Sequence, residues 1–99
     1  MITLFGQHGV ANVEAWKRTA KENINNPDRN AQWGIVESSI YFMVDGSGVI
    51  VAHKFNNLEA AQKYKKMMES AESKAMLEKI GGKLPFTFSL AEELLLADL

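Results

Sequence analysis

The sequence predicts an α+β domain in which a four-stranded antiparallel sheet carries two main helices on one face. Three observations carry this. Ile35–Val44 and Val49–Phe55 are rich in β-branched and aromatic residues and flank Asp45-Gly46-Ser47-Gly48. They read as a hairpin, because Asp-Gly between such runs supplies the positive φ that a tight turn needs. Two amphipathic stripes at helical spacing stand on either side of this hairpin. A further strand-like segment precedes the first stripe, and another follows the second. The element order is therefore β-α-β-β-α-β, and right-handed crossovers give the strand order 4-1-3-2 with both helices on one face.

The hairpin organises the rest. With the turn centred on Gly46-Ser47, Val44 faces Val49, Phe42 faces Val51, Ile40 faces His53 and Ser38 faces Phe55. The opposite face carries Glu37, Ser39, Tyr41, Met43, Ile50, Ala52 and Lys54, a mixture of polar and apolar residues. A sheet apolar on both sides needs cover on both sides. A chain of 99 residues has elements for only one cover, which points to a partner.

In chain order, Met1–His8 reads as the first strand, closed by Gly6 and Gly9. Asn12 is placed to cap a helix over Val13–Ile24, whose apolar stripe is Val13, Trp16, Ala20 and Ile24. Asn25-Asn26-Pro27-Asp28 is expected to break it and open a loop to Gly34, with Trp33 its one large apolar residue. After the hairpin, Asn56-Asn57-Leu58-Glu59 reads as a capping-box start. The stripe Leu58, Ala61, Tyr64, Met68, Ala71 and Ala75 then runs on to Gly81-Gly82. A straight helix of that length would be ~34 Å long, against ~23 Å for a seven-residue strand, so a break is expected near Ser70–Ser73. Lys83–Ser89 holds the fourth strand, with Phe86 and Phe88 on one face and Pro85 at its start. Ser89-Leu90-Ala91-Glu92 reads as another capping box, opening a short C-terminal helix. Its Leu94, Leu95, Leu96 and Leu99 are too apolar to stay in water and are expected to pack across a dimer interface or against the outside of the partner's sheet.

The first and third strands are expected as parallel neighbours at the sheet centre, with their C-terminal ends together. That would bring His8 and His53 to the same edge and the same face.

Composition narrows the function. Hydrophobic residues make up 46% and charged residues 23%, the mix of a folded domain, and the formal net charge of -1 sets up no field toward nucleic acid or anionic membrane. The absence of Cys excludes disulfides, thiolate metal sites and a Cys nucleophile. No signal peptide and no apolar run of ~20 residues is apparent, so a cytoplasmic protein with no membrane partner is expected.

The hairpin followed by Phe55-Asn56-Asn57-Leu58-Glu59-Ala60-Ala61, together with the closing Phe86-Thr87-Phe88, resembles the dimeric α/β-barrel (ferredoxin-like) superfamily. Within it, the chain looks like the antibiotic-biosynthesis-monooxygenase-like proteins over about Ile2–Leu90. The length of 99 residues is that of one small domain, 1–99, and the resemblance implies a homodimer in which two sheets pack face to face as a barrel. It also implies a ligand cavity between helices and sheet in each protomer. Some members are cofactor-free oxygenases of polycyclic phenols, and others degrade haem. The haem degraders carry a His on the second helix and an Asn on the first strand. This chain has Tyr64 and Gln7-His8 there, so no cofactor is expected.

His53, His8 and Tyr64 are the candidate catalytic residues, as general base or polar groups at the cavity. Trp16, Trp33 and Ser38 are the candidate ligand-binding residues. Each has an ordinary alternative: a packed or solvent-facing histidine, a core Tyr or a core Trp. Two His with no carboxylate at a recognisable spacing make a poor metal site, and no metal is expected. Lys63, Lys65 and Lys66 beside Glu59 and Glu69 read as a solvated helix face. An RNA-binding domain shares the element order, but Val49 and Val51 stand where base-stacking aromatics belong. An acylphosphatase would need an Arg in the first loop, and Gly9-Val10-Ala11 has none. Two readings remain: a monooxygenase-like enzyme acting on an apolar aromatic substrate, and a non-catalytic homodimer that binds a small apolar ligand or stabilises an assembly.

Overall fold

The computed structural model describes residues 1–99. Its sheet has the order β2-β3-β1-β4, with β1 (Ile2–Val10), β2 (Ile35–Phe42), β3 (Val49–Phe55) and β4 (Gly82–Glu92). The first crossover holds α1 (Val13–Ile24) and α2 (Pro27–Trp33), and the second holds α3 (Leu58–Met68) and α4 (Ala71–Lys79). This is a ferredoxin-like α+β fold. No helix is long and apolar enough to cross a membrane.

Local chemistry explains most boundaries. Asn12 Oδ1 accepts from the Ala15 amide at 3.0 Å and Asn57 Oδ1 from the Ala60 amide at 2.8 Å, so each Asn satisfies a free amide of the first turn. The second stripe breaks where expected. Ser70 caps α4 through the Ser73 amide.

Four expectations need correction. First, β1 and β3 are antiparallel, with Leu4 opposite His53 and His8 opposite Val49. A right-handed βαβ unit makes β1 parallel to β2, so the strand inserted between them runs the other way. His8 and His53 share a face but lie at opposite ends of it, about 13 Å apart at ~3.3 Å per residue.

Second, the hairpin register differs by two residues: Ser38 faces His53, Ile40 faces Val51 and Phe42 faces Val49. The loop is longer than a two-residue turn. The Met43 amide donates to Gly48 O at 2.9 Å, and Asp45 Oδ1 accepts from the Ser47 amide at 2.9 Å, with Gly46 at φ 77. A slip of two keeps side-chain parity, so each residue stays on its expected face.

Third, the segment after Pro27 is helical. Asn26 caps it through the amides of Asp28 and Arg29, and Gly34 ends it at φ 74. Pro at the first helical position lacks only an N–H that would be unpaired anyway.

Fourth, Ser89–Glu92 does not open a C-terminal helix. It continues β4 alongside β1, with Leu4 opposite Leu90 and Ile2 opposite Glu92. The ladder satisfies backbone groups of both strands, while Leu90 packs on the core, and this outweighs a local capping box. Only the turn Leu96–Asp98 beyond it is helical, of the 3-10 type.

The core is thin, with 17 of 99 residues buried. One cluster holds Leu4, Ile35, Phe55, Ala61 and Tyr64, and a second holds Trp16, Ala20 and Val49. Both lie on the helix side of the sheet. On the opposite side no helix covers Phe5, Ile50 and Tyr41, and Tyr41 is 57% exposed. Glu37 and Lys54 form an ion pair there at 3.7 Å, exposed and so worth little.

Candidate functional site

Between the two core clusters lies a cavity of about 240 Å³, floored by β1, β3 and β4 and walled by the helices. Its lining is mostly apolar. Leu4, Val51 and Phe88 come from the sheet, and Met67, Met68 and Leu77 from α3 and α4. The titratable groups lie at two poles.

The first pole is built on β3 and α3. His53 is 6% exposed, and its Nδ1 lies 2.6 Å from Ser38 Oγ, directly across the β2–β3 ladder. The Tyr64 ring stands edge-on to His53 at 5.3 Å, and Trp33 stands edge-on to Tyr64 at 5.5 Å. The Arg29 guanidinium donates to the Tyr64 hydroxyl and lies 5.3 Å from the centre of that ring.

Burial sets the protonation states here. Loss of solvent, with the nearby Arg29 charge second, pushes the His53 pKa down to about 4. His53 is therefore a neutral imidazole at physiological pH. Burial raises the Tyr64 pKa, opposed by Arg29, so its phenol stays protonated.

The second pole is His8, which lies against Phe86 at 4.9 Å and Trp16 at 6.0 Å. Its Nδ1 is 2.7 Å from Gly9 O. A carbonyl only accepts, so Nδ1 carries the hydrogen and Nε2 is left as an acceptor. Burial lowers its pKa, opposed by that hydrogen bond.

His53, His8, Tyr64 and Trp16 thus all border the cavity, although the two histidines sit at separate poles. Ser38 and Trp33 do not border it. Ser38 stands behind His53, and Trp33 stands behind Tyr64 at the edge of a shallow outer groove with Asn57 and Ala60. Sequence reasoning missed Arg29, which lines the cavity, because it lay in a segment read as loop. The signal was present. Asn26 before Pro27, with Gly34 closing, marks a helix, and helical spacing puts Arg29 and Trp33 on one face.

No three His, Asp or Glu side chains converge in a way that could hold a metal ion. The chemistry available is that of a neutral imidazole, a protonated phenol and a guanidinium around an apolar space. An apolar cavity of ~150 Å³ takes a single benzene ring. By that scale this one takes one or two fused rings.

The fold is that of the antibiotic-biosynthesis-monooxygenase-like and dimeric ferredoxin-like proteins. A monooxygenase of Streptomyces coelicolor, solved in complex with nanaomycin D, superposes with TM-score 0.65 at 12% identity over 94% of this chain and 87% of its own. A dimeric ferredoxin-like protein from an uncultured marine organism gives 0.61 at 13% identity, over 91% of this chain and 92% of its own. An antibiotic biosynthesis monooxygenase gives 0.57 at 9% identity, over 95% and 99%. At these identities the likeness is one of fold. No protein-family model matches the chain, and no curated protein sequence matches it.

Proposed function

We propose that the protein is a small homodimeric enzyme that binds a one- or two-ring apolar phenol in the helix–sheet cavity and oxygenates it without a cofactor. The observation that carries this reading is the apolar cavity with neutral His53 and the Tyr64–Arg29 pair at one pole. His53 would take the phenolic proton, and Arg29 would hold the negative charge that develops on the ring oxygen. A base with so low a pKa is weak, and the guanidinium offsets this by making the phenol more acidic. The electron-rich ring then reacts with O₂. One oxygen atom becomes a second ring carbonyl in place of C–H, and the other leaves as water. The substrate supplies all four electrons, so phenol plus O₂ gives quinone plus water with no added reductant.

The test is an oxygen electrode with 1-naphthol as probe. One O₂ consumed per naphthoquinone formed is the expected result, with His53→Gln losing uptake by about tenfold or more while still binding the probe. A second reading, a non-catalytic ligand-binding homodimer, is favoured by one observation: no carboxylate lines the cavity to balance a protonated His53. Thermal stabilisation by 1-naphthol without O₂ uptake would select it. Absence of both would sink both readings.

The dimer is supported by the uncovered sheet face and by the name of the marine neighbour. The tail leucines belong with it. Leu94, Leu95, Leu96 and Leu99 lie exposed beyond β4, and burying each is worth ~1.5–3 kcal/mol. Deleting Glu93–Leu99 is expected to lower dimer affinity and to lower the Tm by several degrees, roughly 4–8 °C per kcal/mol lost. A truncated protein that keeps both values would remove the tail from the interface.

A further inference from the structure

We propose that the ligand of the helix–sheet cavity is an anion: a planar apolar ring system whose single carboxylate or ionised phenol oxygen pairs with Arg29. This rests on the cavity reading above and adds the charge of what enters it.

Among the residues lining the cavity there is no Asp, Glu or Lys, and Arg29 is the only one with a permanent charge. The protein has three ion pairs, Lys54–Glu37, Lys63–Glu59 and Lys65–Glu69, and none involves Arg29. Every partner of the guanidinium is neutral. It donates to the Tyr64 hydroxyl and, at 3.4 Å, to Asn30 Oδ1, and it lies over the Tyr64 ring. The polar groups that line the same space from other elements are Thr19 and Asn23 on α1, Ser73 on α4, and His8 and His53 on the sheet, all uncharged at neutral pH. A partly buried cation beside an apolar space keeps an unbalanced charge, which is unfavourable unless a counter-charge reaches it. A guanidinium has five donors in a rigid fork suited to carboxylate oxygens. Apolar walls select the ring, and Arg29 selects the sign of its substituent. The positive potential already acts across the cavity, since Arg29 contributes to holding His53 neutral.

The test uses three probes of matched ring size: 2-naphthoate, 2-naphthol and the neutral 2-methoxynaphthalene. Binding is followed by calorimetry and by the fluorescence of Trp16, which borders the cavity, in wild type and Arg29→Gln. At least one anion-forming probe should bind wild type about tenfold or more tightly than 2-methoxynaphthalene, the equivalent of ~1.4 kcal/mol. Arg29→Gln should abolish that preference while holding 2-methoxynaphthalene affinity within about twofold. Tight binding of 2-naphthoate alone identifies a carboxylate. Appearance of the ionised naphthol absorption band on binding at neutral pH identifies a phenolate. Equal binding of all three probes overturns the anion proposal and leaves the cavity reading standing. Failure of all three to bind overturns both. If Arg29→Gln does not fold, the ranking of probes on wild type and Arg29→Lys, which keeps the charge, decides alone.

Discussion

Acidification from pH 7 to pH 4.5 is expected to destabilise the protein by about 2–3 kcal/mol through His53 alone, counting ~1.36 kcal/mol per pKa unit. The folded-state pKa of His53 is about 4, against the ordinary imidazole value of 6.5 in the unfolded chain. Between those values the unfolded chain binds the proton and the folded chain does not. Stability is therefore fully present above pH 6.5 and is lost as pH falls toward 4. His8 is shifted in the same direction by its own burial and adds to the loss. The pairing with Ser38 does not rescue the charged form, because a hydroxyl offers no counter-charge and Arg29 opposes protonation. Denaturant melts at pH 7, 5.5 and 4.5 give the measurement. His53→Gln should flatten most of the slope, and a wild type equally stable across that range would show that His53 is open to water.

Tyr41→Glu is expected to break the proposed homodimer, leaving monomer at micromolar concentration. Tyr41 lies on the sheet face that no helix covers, opposite Ile50 on β3, with Phe5 nearby on β1. In a face-to-face dimer these side chains lose their water. An unpaired carboxylate placed there costs about 3–5 kcal/mol, a weakening of ~10²-fold or more. Light scattering on wild type and variant measures this. A monomeric wild type would remove the dimer, and a dimer that Tyr41→Glu leaves intact would put the interface elsewhere.

The hairpin, the Asn12 cap, an Asn-capped helix start ahead of Leu58, the break near Ser70 and the facing of each strand residue were legible in the sequence. They depend on contacts within a few residues and on the period-two alternation of a strand. Asn12 needs only the amide three residues on, and Phe86 and Phe88 need only alternation to face inward together. The loop length was harder, because Asp45 holding the Ser47 amide competes with a tight turn that suits the same residues. The helix at Pro27 is marked by its Asn26 cap, but Pro signals a helix break and a first helical position alike.

The site was legible only in part. His8, His53, Tyr64 and Trp16 could be named, since polar and aromatic side chains on a core-facing stripe are few in a chain of this length. Their grouping could not be read the same way. Which histidine shares a pole with Tyr64 follows from β3 running against β1, a property of the crossover that leaves no mark on either strand. The tail shows the same limit. Ser89-Leu90-Ala91-Glu92 satisfies a helix cap locally, and it becomes strand because β1 offers a long row of backbone partners and the core offers Leu90 a place. Arg29 acquires its meaning in the same way. On the chain it is one charged residue between Asp28 and Asn30, and only the packing of α2 against α3 puts its guanidinium on Tyr64 and beside a space with no acid to meet it. Local chemistry set the elements and the faces they present. Long-range packing set which faces meet, because that choice is made by buried area and strand direction summed over the whole domain.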